Sequence, residues 1–129
     1  MKYLCLVYAE EQALASVPDA HCVDFDTEIR ESGQCVASEA LEPVATAKTL
    51  RVRSGRTSVT DGPFAETKEQ LAGFYMIEAR DLDEALTIAS RIPPARVGSI
   101  DVRLVRPIRE TVAAEAAAAE GAEAASRAT

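Results

Sequence analysis

Tryptophan is absent from these 129 residues, and the aromatic content is three tyrosines and three phenylalanines. A stacking platform built on indole rings is therefore excluded. Histidine occurs once, as His21, and the three cysteines, Cys5, Cys22 and Cys35, make no CxxC pair and have no histidine at ligand spacing. A disulfide framework or a structural zinc site does not fit that pattern. Positive charge is also short, with 14 Lys and Arg against 21 Asp and Glu and a net charge of −7. Binding to nucleic acid needs clustered cations that displace counterions, so nucleic acid is not an expected partner. No apolar run approaches the roughly 18 residues of a membrane span. The apolar start "KYLCLVYA" meets acids at once, without a convincing cleavage site, and reads as a strand rather than a leader. The expectation is a soluble cytoplasmic protein with no membrane partner.

What is present is the composition of one globular domain: 47 % hydrophobic and 27 % charged residues. A folded body of about 105 to 110 residues would bury roughly 65 % of its unfolded surface, enough for a single core. "KYLCLVY" is apolar on both alternating faces, as a central strand covered on each side would be. Pro18 and Asp19 open a helical segment that Gly33 can stop, with Val23, Phe25 and Ile29 as its apolar side. "QCVASEAL" reads as a second strand ending at Glu42 and Pro43. In "KTLRVRSGRTSVT", Leu50 and Val52 alternate with charges and Ser54-Gly55 marks the turn of a hairpin. Arg51, Arg53 and Arg56 there could hold an anion or serve as solvated charges on a strand edge.

"AGFYMIEA" is the next strand, and "RDLDEALTIASRIPP" carries helix signals at both ends. Asp81 and Glu84 are spaced as a capping box, Leu82, Ala85, Leu86, Ala89 and Ile92 suggest a buried stripe, and Pro93-Pro94 closes the segment. "SIDVRLV" alternates as a half-buried strand. Without the hairpin the order is βαββαβ, an α+β ferredoxin-like arrangement. Two helices cover one sheet face only, so a homodimer packed sheet to sheet is expected over the other. After residue 108 the chain becomes rich in alanine and glutamate, with no large apolar residue beyond Val112 and with Gly121 in its course. Residues 1–108 therefore read as the domain and 109–129 as a tail, disordered or a frayed helix.

The stretch "DGPFAETKEQ" follows the hairpin. Asp61, Gly62 and Pro63 are turn formers, and "FAETKEQ" suggests a short helical turn with Thr67 near its start. Together with "EALEPVATAKTLRVRSGRTSVT" before it and "LAGFYMIEARDLDEA" after it, this motif resembles the DGPF proteins of the YCII-related superfamily, over Met1 to about Ile108 and most closely from Glu39 to Val105. The resemblance implies a ferredoxin-like fold that dimerises into an α/β barrel. It implies no fixed reaction. Some related members are thought to use a His–Asp pair, and one branch is similar to a dehydrochlorinase acting on a chlorinated hydroxyquinol; His21 and Asp61 would be the pair here. Such proteins are often encoded beside extracytoplasmic-function sigma factors, which implies a regulatory partner as the alternative.

Asp61 at a dimer cleft could be partly desolvated, with Lys68 to pair with it or neutralise an anion and Glu39 as a second acid nearby. His21 is the side chain that titrates nearest neutrality without help. Those four residues, Asp61, Lys68, Glu39 and His21, are the acid–base candidates for a small cofactor-independent enzyme or a small-molecule-binding protein. Turn formation by Asp61 and surface pairing of Lys68 with Glu66 or Glu69 account for the same residues without chemistry. No metal triad, Ser-His-Asp order, phosphate loop or dinucleotide fingerprint can be assembled, so neither metal nor cofactor is expected.

Overall fold

The computed structural model describes residues 1–127, with side chains to residue 123. The six strands and the helices α2 and α3 follow the expected order, and α1 and α4 are added to it: β1 (Lys2–Ala9), α1 (Glu11–Leu14), α2 (Asp19–Glu31), β2 (Cys35–Ala40), β3 (Lys48–Arg53), β4 (Arg56–Asp61), β5 (Gln70–Glu78), α3 (Leu82–Ala89), β6 (Gly98–Leu104) and α4 (Ile108–Arg127). The main sheet is antiparallel in the order β2-β5-β1-β6, and β3-β4 form a separate two-stranded ribbon. This is the ferredoxin-like α+β fold with an inserted hairpin. The strand taken as central from its two apolar faces, β1, is indeed flanked on both sides.

Alternation divides β1 into two sets. Tyr3, Cys5, Val7 and Ala9 are buried toward the helices, while Leu4, Leu6 and Tyr8 remain half-buried on the other face. Phe25 and Ile29 of α2 and Ala85, Ile88 and Ala89 of α3 meet Ile77 and Ile92 in one core. Each fully buried isoleucine contributes roughly 1.5–3 kcal/mol relative to exposure. Gly73 lets β2 and β5 close up, because a Cβ there would lie 2.7 Å from the Glu39 carbonyl oxygen.

Local signals place the element ends. α2 starts after Pro18 and runs out at Gly33, whose φ of +80° suits a residue without a Cβ. Asp81 Oδ1 accepts from the Glu84 backbone N–H at 2.9 Å, the first half of the expected box. Glu84 does not return to the cap; its carboxylate takes the Arg80 N–H at 3.3 Å and the Gln34 side chain at 3.0 Å, tying α3 to the entry of β2. In the hairpin, Ser54 (φ 51°) and Gly55 (φ 73°) both adopt positive φ, the two-residue turn whose twist matches its strands.

Several expectations need correction. Val23 is 61 % exposed, so α2 buries only Phe25 and Ile29. On α3 the buried stripe is Ala85, Ile88, Ala89 and then Ile92, with Leu82 and Leu86 about half exposed. The alanines let the helix sit close to the sheet, and the seam follows them rather than the leucines. Residues 64–69 contain no helical turn; Thr67 Oγ1 donates to the Glu69 carbonyl at 2.5 Å and holds a bend instead. Beyond the sheet, α4 continues through Gly121 with all its described side chains exposed, so alanine propensity rather than burial accounts for it.

Candidate functional site

About one turn of α2 separates Cys22 from Asp26 and Asp26 from Arg30, so all three lie along one flank, next to the buried Phe25 and Ile29. That flank faces the edge strand β2. Ser38 pairs with Tyr75 in the sheet register and points toward α2, because Cys35 and Ile77 on the same side enter the core. The result is a three-residue network. Arg30 Nε donates to Asp26 Oδ2 at 2.8 Å, Arg30 Nη2 donates to Ser38 Oγ at 2.8 Å, and Ser38 Oγ donates to Asp26 Oδ1 in a short hydrogen bond. Ser38 is buried, Asp26 half-buried and Arg30 exposed.

Beside this network opens a cavity of about 470 Å³, within the size range of small-molecule sites. Val7, Leu14, Val17 and Tyr75 supply its apolar wall, and Asp19, Cys22, Asp26, Arg30 and Ser38 its polar one. Tyr75 is fixed edge-on against Phe25, with ring centroids 5.3 Å apart and planes at 76°.

The ionisation of the lining follows from these contacts. Donation by Ser38 holds the Asp26 carboxyl below the usual carboxylate range, with Arg30 adding to the effect. Hydrogen bonding to Asp26 raises the Arg30 guanidinium further. Burial pushes the Cys22 thiol up, with help from Asp19, and pushes the Tyr75 phenol up to about 12. All four move away from neutrality. At neutral pH they present a fixed charge and hydrogen-bond pattern rather than a proton in transit.

The residues singled out in the sequence lie elsewhere or at the margin. Asp61 ends β4 with its side chain 87 % exposed and pairs with Lys48, its cross-strand neighbour, in a short contact. Gly62, at φ +96°, gives its N–H to the Ala47 carbonyl at 2.8 Å and takes Thr49 Oγ1 on its own carbonyl at 2.9 Å, so the Asp-Gly-Pro turn closes the hairpin base. Lys68 does not meet Asp61, Glu66 or Glu69; it pairs with Glu10 at 3.4 Å. His21 is exposed beside Ser16, Arg91 and Arg96, in a different hollow from that lined by Cys22. Glu39 alone of the four borders the cavity, at the sheet edge, near enough for its charge to reach Arg30. Within one protomer, Asp61, Lys68, Glu39 and His21 are not brought together. Asp26, Arg30, Ser38 and Tyr75 were the residues not singled out. The signal for Asp26 and Arg30 was a charged i,i+4 pair, each member directly following a core residue of an amphipathic helix.

The βαββαβ sheet, the helices on one face and the ribbon inserted between β2 and β5 define a ferredoxin-like α+β protein with an added arm. Residues 1–109 match the model of the YCII-related domain, and the chain belongs to that family. An uncharacterized protein of Rhizobium meliloti (strain 1021) is 49 % identical over 75 residues, which are 57 % of this chain and 60 % of that protein. The match thus spans about 60 % of that relative's length. Among solved structures, the 5-chloro-2-hydroxyhydroquinone dehydrochlorinase of Burkholderia phenoliruptrix AC1100, in complex with 2,5-dihydroxybenzoquinone, aligns with a TM-score of 0.50 over 82 % of this chain and 94 % of that one. At 14 % identity the similarity is one of fold. No described helix is long and apolar enough to cross a membrane, and the described residues contain no cluster of three His, Cys, Asp or Glu side chains that could hold a metal ion.

Proposed function

We propose that the chain is a small-molecule-binding protein, working as a homodimer, whose ligand enters the cavity between α2 and the β2-β5 side of the sheet. The observation that carries this reading is the Asp26–Ser38–Arg30 network on the rim of a cavity of about 470 Å³ whose opposite wall, Val7, Leu14, Val17 and Tyr75, is apolar or aromatic. Apolar walls with a few convergent polar groups are the ordinary design of such sites. Asp19, Asp26 and Glu39 outnumber Arg30 around the opening, which favours a neutral or cationic ligand over an anion. A small planar ring bearing hydroxyl groups suits the volume and the donors and acceptors. The fold neighbour's complex with 2,5-dihydroxybenzoquinone is support of the same size class. Binding is preferred to acid–base catalysis because the shifted groups of the lining sit away from neutrality. A site made from Asp61, Lys68, Glu39 and His21 would need a second protomer to assemble it.

The homodimer rests on the open sheet face, where Leu4, Leu6 and Tyr8 stand opposite Met76, Phe74 and Leu71. Water on that much apolar surface is costly, and a second copy packed on it removes the cost. Thermal-shift titration with hydroquinone, catechol and resorcinol tests the cavity. At least one neutral ring should raise the melting temperature, and Asp26→Asn should weaken that binding tenfold or more. Stabilisation by none of them, or an equal response in Asp26→Asn, would remove the reading.

A further inference from the structure

The β3-β4 ribbon has a face with nothing over it. Lys48, Leu50 and Val52 stand across from Asp61, Val59 and Thr57, so these six side chains share one surface. At its centre Leu50, Val52 and Val59 are 62 %, 55 % and 58 % exposed. Just past the ribbon, Phe64 is 81 % exposed, with the Arg51 guanidinium 5.7 Å from its ring centroid. Among the described residues, every hydrogen bond of the ribbon stays within residues 47–62. A lone two-stranded ribbon is marginally stable at best in water, and although Thr49 on its other face is buried, the Leu50, Val52 and Val59 face receives no cover from its own protomer.

Its charge says what kind of surface would cover it. Lys48, Arg51, Arg53 and Arg56 against Asp61 give the ribbon +3, whereas the whole chain carries −7, so the remainder carries −10. A second copy of the same chain is therefore a strongly complementary partner. Size points the same way. A stable interface engages roughly 20–30 residues a side, but alternation leaves the open face of the four-stranded sheet only about a dozen positions.

We infer that the hairpin is a docking arm: the surface formed by Leu50, Val52 and Val59 lies on a second copy of this chain, while Arg53 and Arg56, on the opposite face beside the turn, add a long-range attraction to that copy's acidic body. The inference rests on the homodimer reading and extends it from the sheet face to the arm. Two-fold symmetry makes the contact reciprocal, so each protomer gives an arm and receives one. The arm also explains why Asp61 is placed where it is. Its pair with Lys48 closes the apolar face at the base, which leaves the remaining arginines as net positive charge for the partner.

The test is the dimer dissociation constant of the full chain, measured by sedimentation equilibrium. Leu50→Asp with Val59→Asp should raise it at least tenfold while the circular dichroism of the folded sheet and helices is retained. Arg53→Glu with Arg56→Glu should do the same, and the native dimer should loosen as sodium chloride rises from 50 to 500 mM. Should the aspartate pair unfold the chain, Leu50→Ala with Val59→Ala reads the same contact through a rise of threefold or more. Native dissociation constants in all arm variants, or a native dimer indifferent to salt, overturn the docking arm and leave the sheet-face dimer standing. A native chain that sediments as a monomer at 100 μM overturns both, while the ligand cavity of a single protomer is untouched.

Discussion

The four-stranded sheet and the hairpin arm are built from strands with the same alternation, yet only one of them finds a cover inside the chain. On β1 the set Tyr3, Cys5, Val7 and Ala9 is sealed by α2 and α3, down to 0 % exposure at Cys5 and Ala9. On β3 and β4 the equivalent apolar set, Leu50, Val52 and Val59, remains more than half exposed. The difference lies in connectivity, not in strand chemistry. α2 and α3 each come after a strand of the main sheet and fold back over it, whereas Ser54-Gly55 turns β3 straight into β4 and the Asp-Gly-Pro turn releases the chain with no helix added. A sheet thus gains its core from what is connected to it, and a strand pair without such a connection must find its cover outside.

The sharpest way to break this contrast is to remove equivalent apolar atoms from both regions. Ile77→Ala, in the sealed set, should lower unfolding free energy by about 2–5 kcal/mol, because a large-to-small change in a packed core leaves a cavity as well as losing burial. Val59→Ala should cost the isolated protomer less than about 0.5 kcal/mol, the ordinary scale for a surface change. Urea unfolding at a concentration low enough to keep the chain monomeric measures both. Equal losses would mean that the arm is packed in solution against its own body.

How far the sequence reveals these features depends on whether the signal is local. The turn at Ser54-Gly55, the stop at Gly33 and the cap at Asp81 are each set within a few residues, and each is found where its residues suggest, whereas α3 ends at Ala89 and Pro93 opens a 3-10 helix instead of closing it. Strand order follows from them, because two helices on one face and a βαββαβ order leave few other arrangements. What depended on distant partners was not legible. Lys68 found Glu10 rather than Asp61 because Lys48 already stood across from Asp61 in the ribbon register. Leu82 and Leu86 were displaced from the core by the close approach of two alanines. The candidate site was missed for the same reason: Asp26 and Arg30 acquire meaning only when Ser38, eight residues past Arg30, comes back beside them on β2.

That network offers a second, smaller measurement on the body. Asp26 has its carboxyl pKa lowered, so its contribution to stability is fully present above the unfolded value near 4 and is lost as pH falls through the lowered folded value. Since the side chain is 33 % exposed, solvent screening reduces the effect, and Asp26→Asn should cost about 1 kcal/mol at pH 7. The gap between native protein and variant should narrow steadily below about pH 4. A gap that widens in acid, or is constant from pH 7 to pH 2, would mean that the Ser38 and Arg30 contacts do not favour the carboxylate. No matching acid dependence is expected from changes in the apolar face of the arm, whose central side chains carry no titratable group.

The smallest effect expected separates exposure from docking. α4 is as uncovered as the arm, but the described side chains past Val112 are alanines and glutamates with Gly121. Alanine holds a helix by backbone propensity and has little apolar surface to hide. Leucine and valine on a ribbon have no such reason to stay in water. Deleting residues 112–129 should therefore change the unfolding free energy of the protomer by less than about 0.5 kcal/mol and leave the dimer dissociation constant within twofold, while the arm variants change that constant tenfold. A tail deletion that loosened the dimer as much as the arm variants would show that length of uncovered chain, and not the chemistry of the uncovered face, decides which part of this molecule reaches its partner.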